Sequence, residues 1–446
     1  MRIIIAGAGS VGFHLASLLA DEAQDIVLID VSKERLEYAE THLDISTIRG
    51  DSTSFRVLQQ ANVDQADLLI AVTSLGDTNI TTALIGKKMG AKKTIVRIKN
   101  MEYLVDKQIL DLRSVGIDEL ISPESLAARE IKRLLKESAI SDSFDFGGGK
   151  LSLLGLYINA GAPFLGKSLI ELGNENPEDT FITVAIKRGD STIIPKGKTT
   201  FEVGDHAYFI SRPTGINRIM DLSGNVRKII KDVMILGGSR TGAHVIRRLA
   251  SSYNIKLIEK DRAKAFELAD QFPKALVING DGTNVELLDE EGVGQVDAFV
   301  AVTGNSETNI LSCLVAKKRG VKKTIALVEN KEYVALSNNF GIDAMINKKL
   351  IAANFIFRYI REGNVINMAG IYGMDAEILE FKVKDGAKIT KAVIKDLKFP
   401  DGAIIGGVIR KNHGYITLGD FQIQPNDNVV VFTLSGCVHA VEKFFK

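Results

Sequence analysis

The chain has 446 residues, with 56 Lys and Arg against 55 Asp and Glu and a net charge of +1, so no field of one sign marks it for nucleic acid. Hydrophobic residues at 45% and charged residues at 25% are ordinary for a globular protein, and the length exceeds what a single core supports, so about two to four domains are expected. The 2 cysteines, Cys313 and Cys437, give neither a disulfide framework nor a metal-ligand spacing, which fits a reducing cytoplasm.

The sequence opens MRIIIAGAGSVGFHLASLLA. No charged leader with a cleavage site is expected from this opening, and no apolar run reaches the roughly 18 residues that span a bilayer. A short apolar strand runs into a glycine turn and then a helix, the arrangement that sets backbone N–H groups against a phosphate. Gly7, Gly9 and Gly12 occupy the three glycine positions of the dinucleotide fingerprint, with Ala8, Ser10 and Val11 between them. The next strand, DIVLID, ends at Asp30, about 20 residues past the turn, where a carboxylate can accept ribose hydroxyls and disfavours a 2′-phosphate. NAD is therefore expected over NADP.

Further strand ends follow. Asp51 and Thr53 in GDST can reach the adenine or its ribose, or serve as a turn and helix cap. Thr73 and Ser74 after LLIAV are placed to contact a cofactor or to cap the next helix. Arg97 lies inside the strand KTIVRIK, where a cation needs an anionic partner: a phosphate, a carboxylate of a neighbouring subunit, or solvent at an edge. Strands this apolar imply a parallel sheet with helices on both faces. The segment ESLAAREIKRLLKES then reads as an amphipathic helix, and the glycine-broken stretch FDFGGGKLSLLGLYINAGAPFLGKSLIELG begins a small α+β domain.

The whole plan then recurs. GDSTSFRVLQQANVDQADLLIAVT from Gly50 answers GDGTNVELLDEEGVGQVDAFVAVT from Gly280, and the register holds to Tyr103 and Tyr333. Self-similarity on this scale marks a duplicated unit. The second copy opens VMILGGSRTG, with Gly237, Gly238, Ser239, Arg240 and Thr241 at the turn, and its acid is Glu259. Ser239 stands where the first copy has Gly9, and Leu327 where it has Arg97, while Asp281 and Thr303 are retained. Nucleotide binding there is expected to be weaker, altered or absent. The expected domains are 1–123 and 230–348 as Rossmann-like units, 124–142 and 349–365 as crossover helices, and 143–227 and 366–446 as small α+β domains. Each small domain is near the lower size limit for folding alone, so it is expected to pair with a partner copy.

GAGSVG, Asp30, GDST, AVTSLGDTN and IVRIKNMEY, in this order within a duplicated chain, resemble the TrkA-type regulatory subunits of Trk potassium-uptake systems, which carry paired RCK (KTN) domains. The resemblance implies a homo-oligomer, dimer or tetramer, assembled in the cytoplasm on the inner face of the membrane with an integral-membrane potassium channel or transporter. It implies gating by NAD(H) and by adenine nucleotides such as ATP and ADP, held by Gly7 through Val11, Asp30, Thr73, Ser74 and Arg97, and in the second copy by Gly237 through Thr241 and Glu259.

An NAD-dependent oxidoreductase is the rival reading. It would need a proton donor beside the nicotinamide, and the 6 histidines stand in no recognisable catalytic constellation. His14 and His244 recur on the helix after each glycine turn, where packing explains them. A transcription regulator would need a helix-turn-helix or a basic stretch, and the sequence offers neither.

Overall fold

Ile3, Ile4 and Ile5 are consecutive and all fully buried, which a strand achieves only when both faces of its sheet are covered. They belong to β1 (Arg2–Ala6), the centre of a sheet with β2 (Asp25–Asp30), β3 (Ser46–Arg49), β4 (Leu68–Ala71), β5 (Lys93–Arg97) and β6 (Glu119–Ile121). All neighbouring strands pair parallel, in the order β3-β2-β1-β4-β5-β6. This computed structural model describes residues 1–20, 24–100, 103, 112–136, 140, 142–176, 178–189, 191–224, 229–330, 333–334, 340–360, 365–371, 374 and 376–446.

β7 (Asp142–Phe146), β8 (Leu151–Tyr157), β9 (Phe181–Arg188), β10 (Ser191–Ile193) and β11 (His206–Ser211) form an antiparallel sheet ordered β10-β9-β11-β8-β7. The second parallel sheet comprises β12 (Asp232–Leu236), β13 (Asn254–Glu259), β14 (Ala275–Asn279), β15 (Ala298–Ala301), β16 (Lys323–Leu327) and β17 (Ala344–Ile346). Its order, β14-β13-β12-β15-β16-β17, repeats the first. β18 (Val365–Gly370), β19 (Ala376–Lys382), β20 (Ala403–Arg410), β21 (His413–Ile416) and β22 (Asn428–Leu434) form a second antiparallel sheet. The expected duplicated Rossmann architecture with small α+β domains is thus the observed one.

The chain divides into two compact units, Met1–Ala127 with Lys348–Ile356, and Ala128–Asn347 with Phe357–Lys446. The helices in the segments expected to cross over are Pro123–Lys136 and Lys348–Ile360. Residues 137–139, 141 and 361–364 of the expected crossover segments lie outside the described residues. The first unit therefore includes Lys348–Ile356 of the second of these helices, and the second unit Ala128–Lys136 of the first. Within the second unit, Lys132 Nζ donates to the Arg248 carbonyl at 3.1 Å and buried Lys323 Nζ to the Ile140 carbonyl at 3.0 Å.

The small sheets solve their size problem together. One face of the first covers Leu154, Phe164, Phe181 and Phe209. Its other face, with Leu153, Val184, Tyr208 and Ile210, shares a core with Ile378, Ile409, Val430 and Phe432 of the second. A Cβ on Gly406 would stand 2.7 Å from Ile210 Cγ1, so glycine in β20 is what lets the sheets close to this distance. The expected partner copy is thus supplied by the same chain.

Candidate nucleotide clefts

The strand order reverses between β1 and β4, the place where open α/β sheets hold ligands beyond their carboxyl ends. Gly7 there has φ +112°, and a Cβ on it would stand 2.8 Å from the Thr73 amide nitrogen. A Cβ on Gly12 would lie 1.8 Å from the Gly7 carbonyl oxygen, whereas one on Gly9 would meet nothing within 4 Å. Gly7 and Gly12 serve the chain's own packing. Gly9 keeps the outer side of the turn open beside the N-terminus of the helix Ser10–Ala20, which suits a pyrophosphate. Val11 is buried, so it can meet a ligand only through its backbone.

Asp30 ends β2 with its carboxylate turned into the turn. Oδ2 accepts the Ala8 amide at 2.6 Å and Oδ1 the Ser32 amide at 2.8 Å, with the Arg35 guanidinium 3.9 Å away. Asp51 Oδ1 accepts the amide and hydroxyl of Thr53 at 2.9 and 2.8 Å, a turn that fixes the loop after β3. The Thr73 hydroxyl donates to Asn79 Oδ1 at 2.6 Å and accepts the Leu75 amide at 3.2 Å. These bonds lie in the loop before the helix Gly76–Met89, which has no side-chain cap. Ser74 is exposed and makes no hydrogen bond among the described residues.

Sequence reasoning did not single out Asn79, which is 1% exposed. Its Oδ1 also accepts the Thr73 amide, and its Nδ2 donates to the carbonyls of Thr73 and Arg97, tying the ends of β4 and β5 to one side chain. Asn309 repeats this with Thr303 and Leu327. The signal was the Thr-Asn-Ile shared by both copies.

Arg97 has a carboxylate within its own unit: Glu124 Oε1 lies 3.6 Å from its guanidinium, and their side chains are only 17% and 8% exposed. The two positions change together in the second copy, where Leu327 and Lys349 replace Arg97 and Glu124.

The second copy builds a corresponding cleft of about 400 Å³, lined by Gly237, Ser239, Glu259, Lys260, Lys264 and Asp281 among others. That volume is within the range of small-molecule sites. Glu259 reaches the same two amides as Asp30: Oε2 accepts from Gly238 at 2.7 Å and Oε1 from Asp261 at 2.9 Å. Ser239 does not crowd the turn with a free hydroxyl. Its Oγ donates to the Val302 carbonyl at 2.6 Å and accepts the Gly242 amide at 3.2 Å, capping the helix Arg240–Leu249. Arg240 is exposed and Thr241 buried. Lys260 and Lys264, also missed in sequence, stand 2.7 Å from Asp281 and 3.5 Å from Glu259. The Lys260 ammonium, then the Thr283 amide and hydroxyl, hold the Asp281 carboxyl down at about 2.

The sheet order, glycine turns and terminal acids define a tandem Rossmann protein of the dinucleotide-binding class. The TrkA-N domain matches residues 3–123 and 233–348, and the TrkA-C domain residues 153–224 and 378–446. The chain belongs to the TrkA family. It is 31% identical over 451 residues to the Trk system potassium uptake protein TrkA of Halomonas elongata, covering 100% of this chain and 99% of that one. It is 33% identical over 447 residues to a TrkA homolog of Archaeoglobus fulgidus, covering 100% of both. Among solved structures, the GsuK channel bound to NAD has the same fold, with a TM-score of 0.62 at 16% identity over 100% of this chain and 78% of that one.

Proposed function

We propose that the chain is a nucleotide-responsive regulatory subunit of potassium uptake. It binds NAD(H), and ATP or ADP as further adenine nucleotides, and acts on an integral-membrane potassium transporter from the inner face of the membrane as a homo-oligomer. The observation that carries the reading is the hydrogen-bonded coupling of glycine turn and acid in both Rossmann units, in a chain that matches potassium-uptake proteins from end to end. In the first cleft the Ser10–Ala20 N-terminus and the open face of Gly9 suit the pyrophosphate, and Asp30 suits the adenosine ribose. A nucleotide can then shift a conformational equilibrium by its differential affinity for two arrangements of the chain.

Among the described residues, no helix is long and apolar enough to cross a membrane, so the membrane partner supplies the attachment in this reading. Flotation with liposomes is expected to be negative without that partner and positive with it, and potassium flux in the reconstituted pair is expected to change with nucleotide. Strong binding to bare lipid, or flux indifferent to nucleotide, would sink the reading. The relatives' names favour a regulatory over an oxidoreductase role, and steady turnover of NADH with a small-molecule substrate would reverse that preference.

A further inference from the structure

The two clefts share their glycine turns, their acids and the cation five residues after each acid, Arg35 and Lys264. They differ at the residue directly after the acid. In the first cleft this is Val31, 66% exposed at the mouth, and Asp51 across from it makes no ion pair among the described residues. In the second it is Lys260, whose Nζ reaches across from the end of β13 to Asp281 Oδ2 at 2.7 Å. The neighbouring strand end differs too: Arg49 donates Nε to the Val31 carbonyl at 3.4 Å, whereas Asn279 donates to the carbonyls of Glu259 and Lys260.

The acid itself does not distinguish the clefts, because Asp30 and Glu259 both direct their two oxygens to backbone amides. What the second cleft adds is an ammonium on a long stem, 77% exposed, next to a second lysine at the start of the helix Arg262–Gln271. The first cleft also has a cation beside its acid, Arg35, and its Arg49 is held to the Val31 carbonyl; what the second alone has is a lysine directly after the acid beside a second lysine, a pair able to hold a phosphate on the adenosine 2′-oxygen. A dianionic phosphate there would gain charge-assisted bonds from Lys260 and Lys264 and release Asp281 to the base. A ligand with a bare ribose hydroxyl leaves Lys260 on Asp281 and gains nothing from it.

We propose that Lys260 makes the second cleft selective for adenosine ligands that carry a 2′-phosphate, with Lys264 as the second cation, while Val31 leaves the first cleft to the unphosphorylated ribose. This rests on the nucleotide reading of both clefts. It reverses, for the second copy, the expectation that an acid at this position excludes such a phosphate: the neighbouring lysines balance Glu259 and Asp281.

The test uses the full chain and two probes, NADH and NADPH. The protein contains no tryptophan, so nicotinamide fluorescence reports binding without energy transfer from indole. Wild type is expected to show one site preferring NADH and one preferring NADPH. Lys260→Val is expected to weaken NADPH binding at the second site about tenfold or more, the scale of one charge-assisted bond, and to leave the NADH-preferring site unchanged. The reciprocal Val31→Lys is expected to raise the NADPH to NADH affinity ratio at the first. Wild type with no NADPH-preferring site, or a Lys260→Val protein whose ratio moves less than about twofold, overturns the proposal alone. Binding of neither dinucleotide by any folded variant removes the nucleotide reading and the proposal with it.

Discussion

The Asp30 carboxylate holds the Ala8 amide at 2.6 Å, so the acid that ends β2 and the glycine turn that follows β1 are one hydrogen-bonded device before any ligand arrives. Asp30→Ala removes an acceptor for the ribose and loosens the turn beneath the pyrophosphate at once. It is expected to weaken NAD(H) binding at the first cleft at least about tenfold. Asp30→Asn, which keeps one accepting oxygen, is expected to fall between. Calorimetry on the folded variants checks this, and unchanged affinity in Asp30→Ala would remove Asp30 from the site.

Gly238, which stands where the first turn has Ala8, has a packing cause. A Cβ on Gly238 would stand 2.3 Å from Leu268 Cδ1 and 2.8 Å from Glu259 Oε2. At the corresponding positions the first copy has Ala8 over Ala39, so a methyl above a small residue is exchanged for none above a large one. Gly238→Ala is expected to destabilise the chain by about 1–3 kcal/mol through overpacking, and Leu268→Ala by about 2–5 kcal/mol through a cavity. The double variant is expected to be less destabilised than the sum by at least about 1 kcal/mol. Denaturant titration of the four proteins closes the cycle, and simple additivity would break the pairing.

Arg97 and Glu124 form a buried pair whose members depend on one another. Removing one leaves an uncompensated charge in a low-dielectric setting, which costs about 3–5 kcal/mol. Arg97→Ala is expected to lose stability on that scale. Arg97→Leu with Glu124→Gln, which removes both charges, is expected to recover most of it. Equal losses in the single and double variants would mean that the pair is not coupled.

How much of this was legible follows from what each residue depends on. The glycine turns, the acids and the strand ends were readable because they are local: a turn geometry and a spacing of about 20 residues are written in consecutive positions. The Arg97 partner was not, because Glu124 is 27 positions away and reaches Arg97 only once β5 and β6 have paired. Lys260 was passed over because a lysine after a strand usually marks solvent, and its meaning comes from Asp281 on the neighbouring strand end. The Gly238 and Leu268 exchange is likewise a contact between two elements.

The two cysteines are expected to differ in reactivity. Burial pushes the Cys313 thiol well above its ordinary range, and Cys437 is only partly buried. The thiolate is the reactive form. Native protein is therefore expected to take up one equivalent of a maleimide rapidly and a second only after denaturation. Rapid modification of both would show that the core around Cys313 opens readily.

The last expectation concerns acid. Burial pushes the Asp343 carboxyl upward, but the bond and charge of Lys317, the charge of Lys323 and the Thr324 amide outweigh it, so the group sits below its usual range. Lys317 Nζ lies 2.7 Å from both oxygens, and the Thr324 amide and hydroxyl each donate to Oδ2 at 2.8 Å. A carboxyl whose folded value is depressed contributes stability that is fully present above the unfolded value, near 3.8, and is lost as pH falls through the folded one. Asp343→Asn keeps the shape but leaves Lys317 without its counter-charge, and is expected to cost about 1–3 kcal/mol at neutral pH. The gap between wild type and variant is expected to stay constant from pH 7 down to about pH 5 and to narrow only below about pH 4, as the wild-type carboxyl takes up its proton. Urea denaturation across this range measures it. A gap that already shrinks between pH 7 and pH 5 would point to a histidine rather than Asp343 as the group being titrated.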